Sequence, residues 1–236
     1  MKFSLAAPSC VIADRVGPNC RILSELVGEV ALMLLETEGC LAYDSQDLPA
    51  DLAATGLRFH AHLPVDLPWD KGTDAVLAKL KGLEQKIAFL QPRGYVLHPP
   101  APGELEALLQ ARPDLAAVLC LENTAHSDLA EVWDLIAASN LGVCLDLGHL
   151  VSYGQEGILG YHGLFERIRV MHVYGGESVH GHAGLHALPD PLLLRGILEQ
   201  IRQDCVLVVE IFHLDEFRSS LDLLRSWLDA WGFDHD

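Results

Sequence analysis

Residues 142–150 read G-V-C-L-D-L-G-H-L: a short apolar run ends in Asp146, and Gly148 and His149 follow in the turn. A carboxylate at the carboxyl end of a strand therefore meets an imidazole at the start of the next loop, an arrangement that suits a pair of metal ligands or an acid and base. Taken alone, an Asp after an apolar run reads as readily as a helix cap. Recurrence changes the odds. F-H-A-H-L-P carries His62, Y-V-L-H-P-P carries His98, V-L-C-L-E-N-T carries Glu122, V-M-H-V-Y-G carries His172 and V-L-V-V-E-I-F carries Glu210. Six apolar runs each present a ligand-type residue at the same end.

On both sides of this stretch, apolar runs of strand length alternate with longer stretches of helical period, the signature of repeated β-α units and a parallel sheet. The pattern predicts strands over 2–7, 29–36, 58–62, 94–98, 117–122, 142–146, 169–173 and 205–210. Between them, Val76, Leu80, Leu83, Ile87 and Leu90 step by four and three, as do Phe217, Leu221, Leu224, Leu228 and Trp231, so each stretch lays one apolar stripe on a sheet. Thr73 and Asp74 are placed to cap the first of these helices, and Gly94 lies just before the next strand. Eight strand-helix units close most simply into an α/β architecture, the (β/α)8 barrel, whose active sites lie at the carboxyl ends of the strands. Residues two apart on a strand share a face, so His60 goes with His62, Cys120 with Glu122, Cys144 with Asp146, Val170 with His172 and Val208 with Glu210. If that face is the lumen, the polar termini converge on one bowl.

The length of 236 residues suits a single barrel domain over 1–236, with no Ser- or Gly-rich linker dividing it. No apolar run approaches the roughly 18–20 residues that cross a bilayer, and the start M-K-F-S-L-A-A-P-S-C has too short an apolar region for a signal, so a cytoplasmic location without membrane contact is expected. The six cysteines form no C-x-x-C pair and mostly sit in apolar runs, where reduced thiols act as small hydrophobes. A formal net charge of -17 disfavours nucleic acid as a partner, because binding a phosphate backbone relies on Lys and Arg.

Any one histidine is accounted for as a hydrogen-bonded or surface residue. A carboxylate that ends an apolar parallel strand is costly to bury unless it is paired or metal-bound, and this applies to Glu122 and Glu210. Glu36, at the end of L-M-L-L-E, either reaches the bowl or opens a loop. The segment G-G-E-S-V-H-G-H-A-G-L-H-A-L-P after the seventh strand holds His180, His182 and His186 and reads as either a polar loop or a functional one, with the glycine-rich 175–184 stretch able to act as a lid. Trp227 and Trp231 lie at helical spacing and belong to the core.

The combined pattern resembles the xylose isomerase-like barrels, which include the apurinic-endonuclease type and many sugar isomerases and epimerases. The endonuclease type presents His, His, Glu, then Asp-x-x-His, His, a loop His and a final Glu. Here these fall on His62, His98, Glu122, Asp146 with His149, His172, a loop histidine and Glu210. The resemblance implies that Glu122 bridges two metals, with His62 and His98 on one and Asp146, His172 and Glu210 on the other, while His149 and the loop histidine serve a third. The family's loop pairs an Asp with its ligand His, and no Asp lies between His172 and His186. L-H-A-L-P resembles the D-H-x-x-L form with Leu185 in place of the Asp, which favours His186 as the ligand and leaves His182 as the fallback. The opening S-L-A-A-P-S-C-V-I-A-D-R-V-G-P-N-C-R-I-L-S-E-L-V-G-E-V-A-L-M-L-L-E is similar to that of the cobamide-remodelling phosphodiesterases (CbiR).

What that resemblance implies is a metal-dependent hydrolase that cuts the nucleotide-loop phosphodiester of a cobamide and releases cobinamide phosphate. Glu122, Glu210 and His149 are the expected catalytic residues. Glu36 and His182 are the expected substrate contacts. The cofactors expected are two or three divalent ions per chain, zinc or manganese, since mixed His and carboxylate donors suit several metals. The alternative is a sugar isomerase or epimerase with one ion on Glu122, Asp146, His172 and Glu210, which has less need of His62, His98 and His149 together. The oligomeric state is not set by the sequence.

Overall fold

Alternation of apolar residues with period two turns the eight predicted runs into eight parallel strands. A computed structural model describes residues 2–201 and 204–236. In order around the barrel are β1 (Phe3–Pro8), β2 (Glu29–Met33), β3 (Arg58–His62), β4 (Tyr95–Leu97), β5 (Leu119–Glu122), β6 (Gly142–Asp146), β7 (Ile168–Val173) and β10 (Cys205–Val209), and β10 pairs back onto β1 to close it. The remaining strands, β8 (Glu177–Ser178) and β9 (Gly181–His182), form a small antiparallel hairpin in the loop after β7. The (β/α)8 barrel expected from the sequence is present.

Some strands are shorter than the sequence predicts. β4 stops at Leu97 because Pro99 and Pro100 follow His98 and have no N–H for a ladder. β5 begins only at Leu119 because a 3₁₀ turn from Pro113 to Ala117 takes up the residues before it. β2 ends at Met33, three residues before Glu36.

The covering helices are α1 (Val16–Leu23), α2 (Thr37–Leu41), α3 (Thr73–Ile87), α4 (Pro102–Ala111), α5 (Trp133–Ser139), α6 (Leu147–Ser152), α7 (Pro191–Leu198) and α8 (Leu214–Trp231). α3 buries Val76, Leu80, Leu83 and Ile87, and α8 buries Phe217, Leu221, Leu224 and Leu228, as their periodicity predicts. Each such side chain contributes about 1.5–3 kcal/mol over an exposed one. The start of α3 differs from expectation: Gly72, at φ 85°, is the boundary residue, and neither Thr73 nor Asp74 caps with its side chain. A left-handed turn there favours glycine, and Asp74 in the first turn complements the helix dipole. Trp227 and Trp231 stack on each other and pack against the core. Among the described residues no helix is long and apolar enough to cross a membrane.

Two apolar regions result. The larger fills the space between strands and helices. The smaller is the lumen, where Ala6, Ala31, Val96, Cys144, Val170 and Val208 are among the inward-facing residues. Small and branched side chains fill this narrow space. All six cysteines are free thiols, and burial pushes Cys20 and Cys120 up to about 12 and Cys10 up to about 11. These thiols are poor nucleophiles and serve as packing.

Candidate metal centre

The lumen face that carries Cys120, Cys144, Val170 and Val208 continues one step beyond each strand's apolar run into Glu122, Asp146, His172 and Glu210. Strand register then sets their heights: Asp146 pairs directly with His172, and Glu122 with Cys144. His62 arrives from the end of β3, and His98 and His149 from just beyond β4 and β6. Glu122, Asp146, His172, Glu210 and His62 are buried, while His98 and His149 are partly open to the bowl.

The Glu122 carboxylate presents its two oxygens to different partners. Oε2 lies 3.0 Å from His62 Nε2 and 3.7 Å from His98 Nε2. Oε1 lies 3.5 Å from His172 Nδ1 and 3.7 Å from His149 Nδ1. Beyond it, His172 Nδ1 is surrounded by carboxylate oxygens at 3.1 Å from Glu210, 3.4 Å from Asp146 and 3.5 Å from Glu122. Yet His172 Nδ1 and Asp146 Oδ2 are buried with no hydrogen-bond partner. Polar atoms this deep are normally satisfied, and a cation between them satisfies both.

Several imidazoles are oriented as ligands usually are, with one ring nitrogen tied to a carbonyl and the other turned towards a carboxylate of the cluster. His62 Nδ1–H donates to the Leu63 carbonyl at 2.9 Å, His149 Nδ1–H to the Asn123 carbonyl at 2.9 Å, and His182 Nδ1–H to the Glu210 carbonyl at 2.7 Å. Asp146 is tied in turn: its Oδ1 accepts the His149 backbone N–H at 2.6 Å, capping α6, and its own N–H donates to Asn123 Oδ1 at 2.7 Å. The Asp146 side chain thus caps a helix and also faces the bowl.

Charge in the cluster is shared. Burial pushes the Glu122 carboxyl up, but His172 and His62 more than reverse it and hold it well below its ordinary value. Burial presses His172 towards neutrality, and Cys144, Glu210 and Glu122 overcome it, so its pKa lies well above the ordinary one. For Asp146 burial prevails and the carboxyl is raised. Carboxylates so placed call for more positive charge than the imidazoles supply.

Residues whose ligand atoms lie within 4.8 Å of one another form overlapping sets around the bowl, among them His62, His98 and Glu122; Glu122, Asp146 and His149; Asp146, His172 and Glu210; and His149, Glu177 and His182. The donor chemistry fits divalent ions, and it suits zinc, manganese and iron alike. Two sequence expectations are not met by the placement. His186 is exposed in a short 3₁₀ turn over Leu185–Ala187 and does not join the cluster. His182 occupies that place, because β9 of the hairpin carries it inward while Leu185 takes the buried position beside His186. Glu36 is exposed, lies three residues beyond the end of β2, whose Ala31 and Met33 face the lumen, and joins none of these sets. His180 is exposed as well.

Glu177, Asn123 and Tyr174 were not legible as site residues. Glu177 Oε1 lies 3.3 Å from His182 Nε2 and 3.5 Å from His149 Nε2, and accepts the Tyr174 hydroxyl at 3.0 Å. It supplies the carboxylate that the loop otherwise lacks. The Tyr174 ring stacks on His182 with centroids 3.9 Å apart and lies against Gly148, where a Cβ would come within 2.0 Å of it. The glycine between Asp146 and His149 is therefore required by this close approach. The hairpin that carries Glu177 and His182 is held at its base, with Gly175 N–H bonded to the Ala183 carbonyl at 2.8 Å, and its tip at Val179 is exposed.

No family model matches the sequence, and no curated protein matches it. Solved structures do. Endonuclease IV from Thermus thermophilus superposes with a TM-score of 0.65 at 20% identity, over 96% of this chain and 99% of that one. The IolI protein with a binding zinc atom gives 0.70 at 14% identity over 97% and 98%. A D-tagatose 3-epimerase-like protein gives 0.69 at 16% identity over 97% and 98%. The chain shares the (β/α)8 barrel fold of these structures. In this barrel the bowl is flanked by two open hollows. One, of about 640 Å³, lies between the loop after β1 and Phe212, and the other, of about 510 Å³, between the loops after β4 and β5 and Tyr153.

Proposed function

We propose that the chain is a metal-dependent phosphodiesterase whose substrate is the nucleotide loop of a cobamide. The observation that carries the reading is the Glu122 carboxylate, buried and turned so that each oxygen faces a different set of imidazoles. A carboxylate so placed suits two neighbouring ions, and a further set on His149, Glu177 and His182 suits another. Divalent ions bound there would lower the pKa of water and neutralise charge on a phosphodiester. Around them, His62, His149 and His182 are each fixed through Nδ1 by a carbonyl with Nε2 turned towards Glu122 or Glu177, and Asp146 is fixed by Asn123 and the α6 backbone, so the donors are preorganised.

The walls support a large, non-polymeric substrate. The N-terminal segment similar to the cobamide-remodelling enzymes forms part of the larger hollow through Ser9, Cys10, Ile12 and Asp14. Phe212 and Tyr153, 40% and 46% exposed, stand at the rim beside His182 and His149 and offer ring faces to a planar ligand. Among the described residues the hollows carry Arg15 alone as a Lys or Arg cation against Asp14, Asp47, Asp128 and Glu131, which disfavours a nucleic-acid backbone. A second reading, a sugar epimerase or isomerase, is favoured by the compact set of Glu122, Asp146, His172 and Glu210, which alone is enough for one ion.

The test is product analysis. Metal-loaded protein incubated with a coenzyme-form cobamide is expected to add water across the phosphodiester, giving cobinamide phosphate and the nucleoside of the lower ligand. Intact cobamide together with turnover of a ketose by the same sample selects the epimerase reading.

A further inference from the structure

We propose that the amino end of the barrel, opposite the metal centre, is a second ligand site that takes a hydrogen phosphate group. A cavity of about 350 Å³ opens there, floored by the lumen residues Val96, Cys120, Val170 and Val206. This is within the usual range for a small-molecule pocket. Four of the chain's 16 Lys and Arg residues line it, Lys2, Arg58, Arg93 and Arg169, in a protein with 33 Asp and Glu. Arg169 reaches the cavity because β7 bulges between Ile168 and Val170, which re-aims the intervening side chain.

The carboxylates facing the cavity are Glu29, Asp204 and Asp236. Glu29 is the buried one and is already saturated, with His60 Nδ1 at 2.7 Å, Arg58 Nε at 3.3 Å and Arg93 Nη2 at 2.5 Å. Arg58 is held through Nε and Nη2, and Arg93 likewise, so neither engages Nη1 among the described residues. His60 supplies the second, independent sign of a ligand. It is 3% exposed, lines the cavity, and its Nε2 has no partner. In the tautomer that donates Nδ1–H to Glu29, Nε2 offers a lone pair to an O–H donor, while Nη1 of Arg58 and of Arg93 offers N–H donors to acceptor oxygens; Arg169 is held at the wall by the carbonyls of Ala117 and Asn140. Hydrogen phosphate carries both on one tetrahedral group, and charge-assisted bonds from arginine favour it. Sulfate has the same shape without the O–H.

Phosphate also meets any metals at the other end, so calorimetric titration with inorganic phosphate is done on the metal-loaded wild type and on Glu122→Gln. The event common to both is assigned to this cavity. Val206→Phe, which fills the space and leaves the charged groups in place, is expected to weaken that event at least tenfold, and sulfate is expected to bind at least tenfold more weakly than phosphate. Glycerol 3-phosphate in a parallel titration separates the sources: tighter binding than inorganic phosphate identifies a phosphomonoester, weaker binding the free ion. The ¹⁵N resonance of His60 Nε2 in the wild type, which needs no variant to fold, is expected to move on phosphate addition. No common event, an unmoved His60 resonance, or sulfate binding as tightly as phosphate overturns the proposal.

Discussion

Glu29 and Glu122 sit at opposite ends of one lumen, both inaccessible to solvent and both facing imidazoles. Around Glu29 the chain places two guanidiniums and a histidine at hydrogen-bonding distance, so the buried carboxylate is neutralised by the protein itself. Around Glu122 no arginine or lysine approaches among the described residues. Its neighbours are four histidines and two further carboxylate-bearing strands, and two polar atoms there, His172 Nδ1 and Asp146 Oδ2, go without partners. A buried carboxylate without a fixed cation is expensive. The contrast separates a network that holds the barrel together from a cluster arranged to receive cations, and it matches the general division between the two faces of such barrels.

The largest expected effect follows from removing the carboxylate that faces both sets of imidazoles. Glu122→Gln is expected to lose bound metal and to lower the rate of the proposed phosphodiester hydrolysis more than 100-fold, beyond the roughly 10–100-fold typical of groups that only support ligands. Metal analysis of the purified variant checks this, and full metal content would remove the distinction between the two glutamates. His182→Ala comes next: one ion fewer per chain and a rate lower by about tenfold to a hundredfold, measured on the same preparations, because Glu177 and His149 would keep only two of that set's three donors.

At the other end, Glu29→Gln is expected to leave metal content at the wild-type level and to reduce unfolding free energy by about 2 kcal/mol, the scale for hydrogen bonds to a charged group when the partners are half exposed. Its pH dependence has a definite sign. Burial raises the Glu29 carboxyl, but His60, Arg93 and Arg58 outweigh it and the folded pKa is lowered from 4.5. A lowered folded value means stabilisation that is complete above the unfolded pKa, about 4.3 for Glu, and that fades as pH falls through the folded value. Urea denaturation between pH 7 and pH 3 is therefore expected to show the gap between wild type and variant closing only at the acid end. A gap that widens with acid would show that Glu29 is not held ionised by these partners.

The sequence showed much of this because the relevant signals are periodic. Apolar runs ending in His62, Glu122, Asp146, His172 and Glu210 fix both the strand and the side of it that carries the ligand, and the register places all five in one bowl. Glu29 could have been found the same way, since it shares parity with Ala31 and Met33, whereas Glu36 does not. The loop after β7 carried no period. Which of its histidines turns inward depends on the hairpin of β8 and β9, on Gly175 packing against the Gly184 carbonyl, and on the Tyr174 ring that supports His182. Glu177 was hidden for the same reason: only the hairpin brings it alongside His149 and His182.

The smallest expected effect concerns His186, the loop histidine that the resemblance favoured. Its ring is exposed above Gly184, whose N–H donates to Glu216 Oε1 at 2.8 Å and whose neighbour Leu185 is the buried anchor, bonded through its N–H to Ser220 Oγ at 3.0 Å. These backbone bonds hold the turn whatever side chain follows. An exposed substitution away from such features typically changes stability by less than about 0.5 kcal/mol. His186→Ala is therefore expected to keep its full complement of ions and a rate within about twofold of wild type, in contrast to His182→Ala in the same loop. Metal content and initial rates of both variants, measured side by side, decide the point. Loss of an ion in His186→Ala with retention in His182→Ala would mean that the loop rearranges when metal binds, and that the unpartnered atoms of the bowl do not by themselves mark where the cations go.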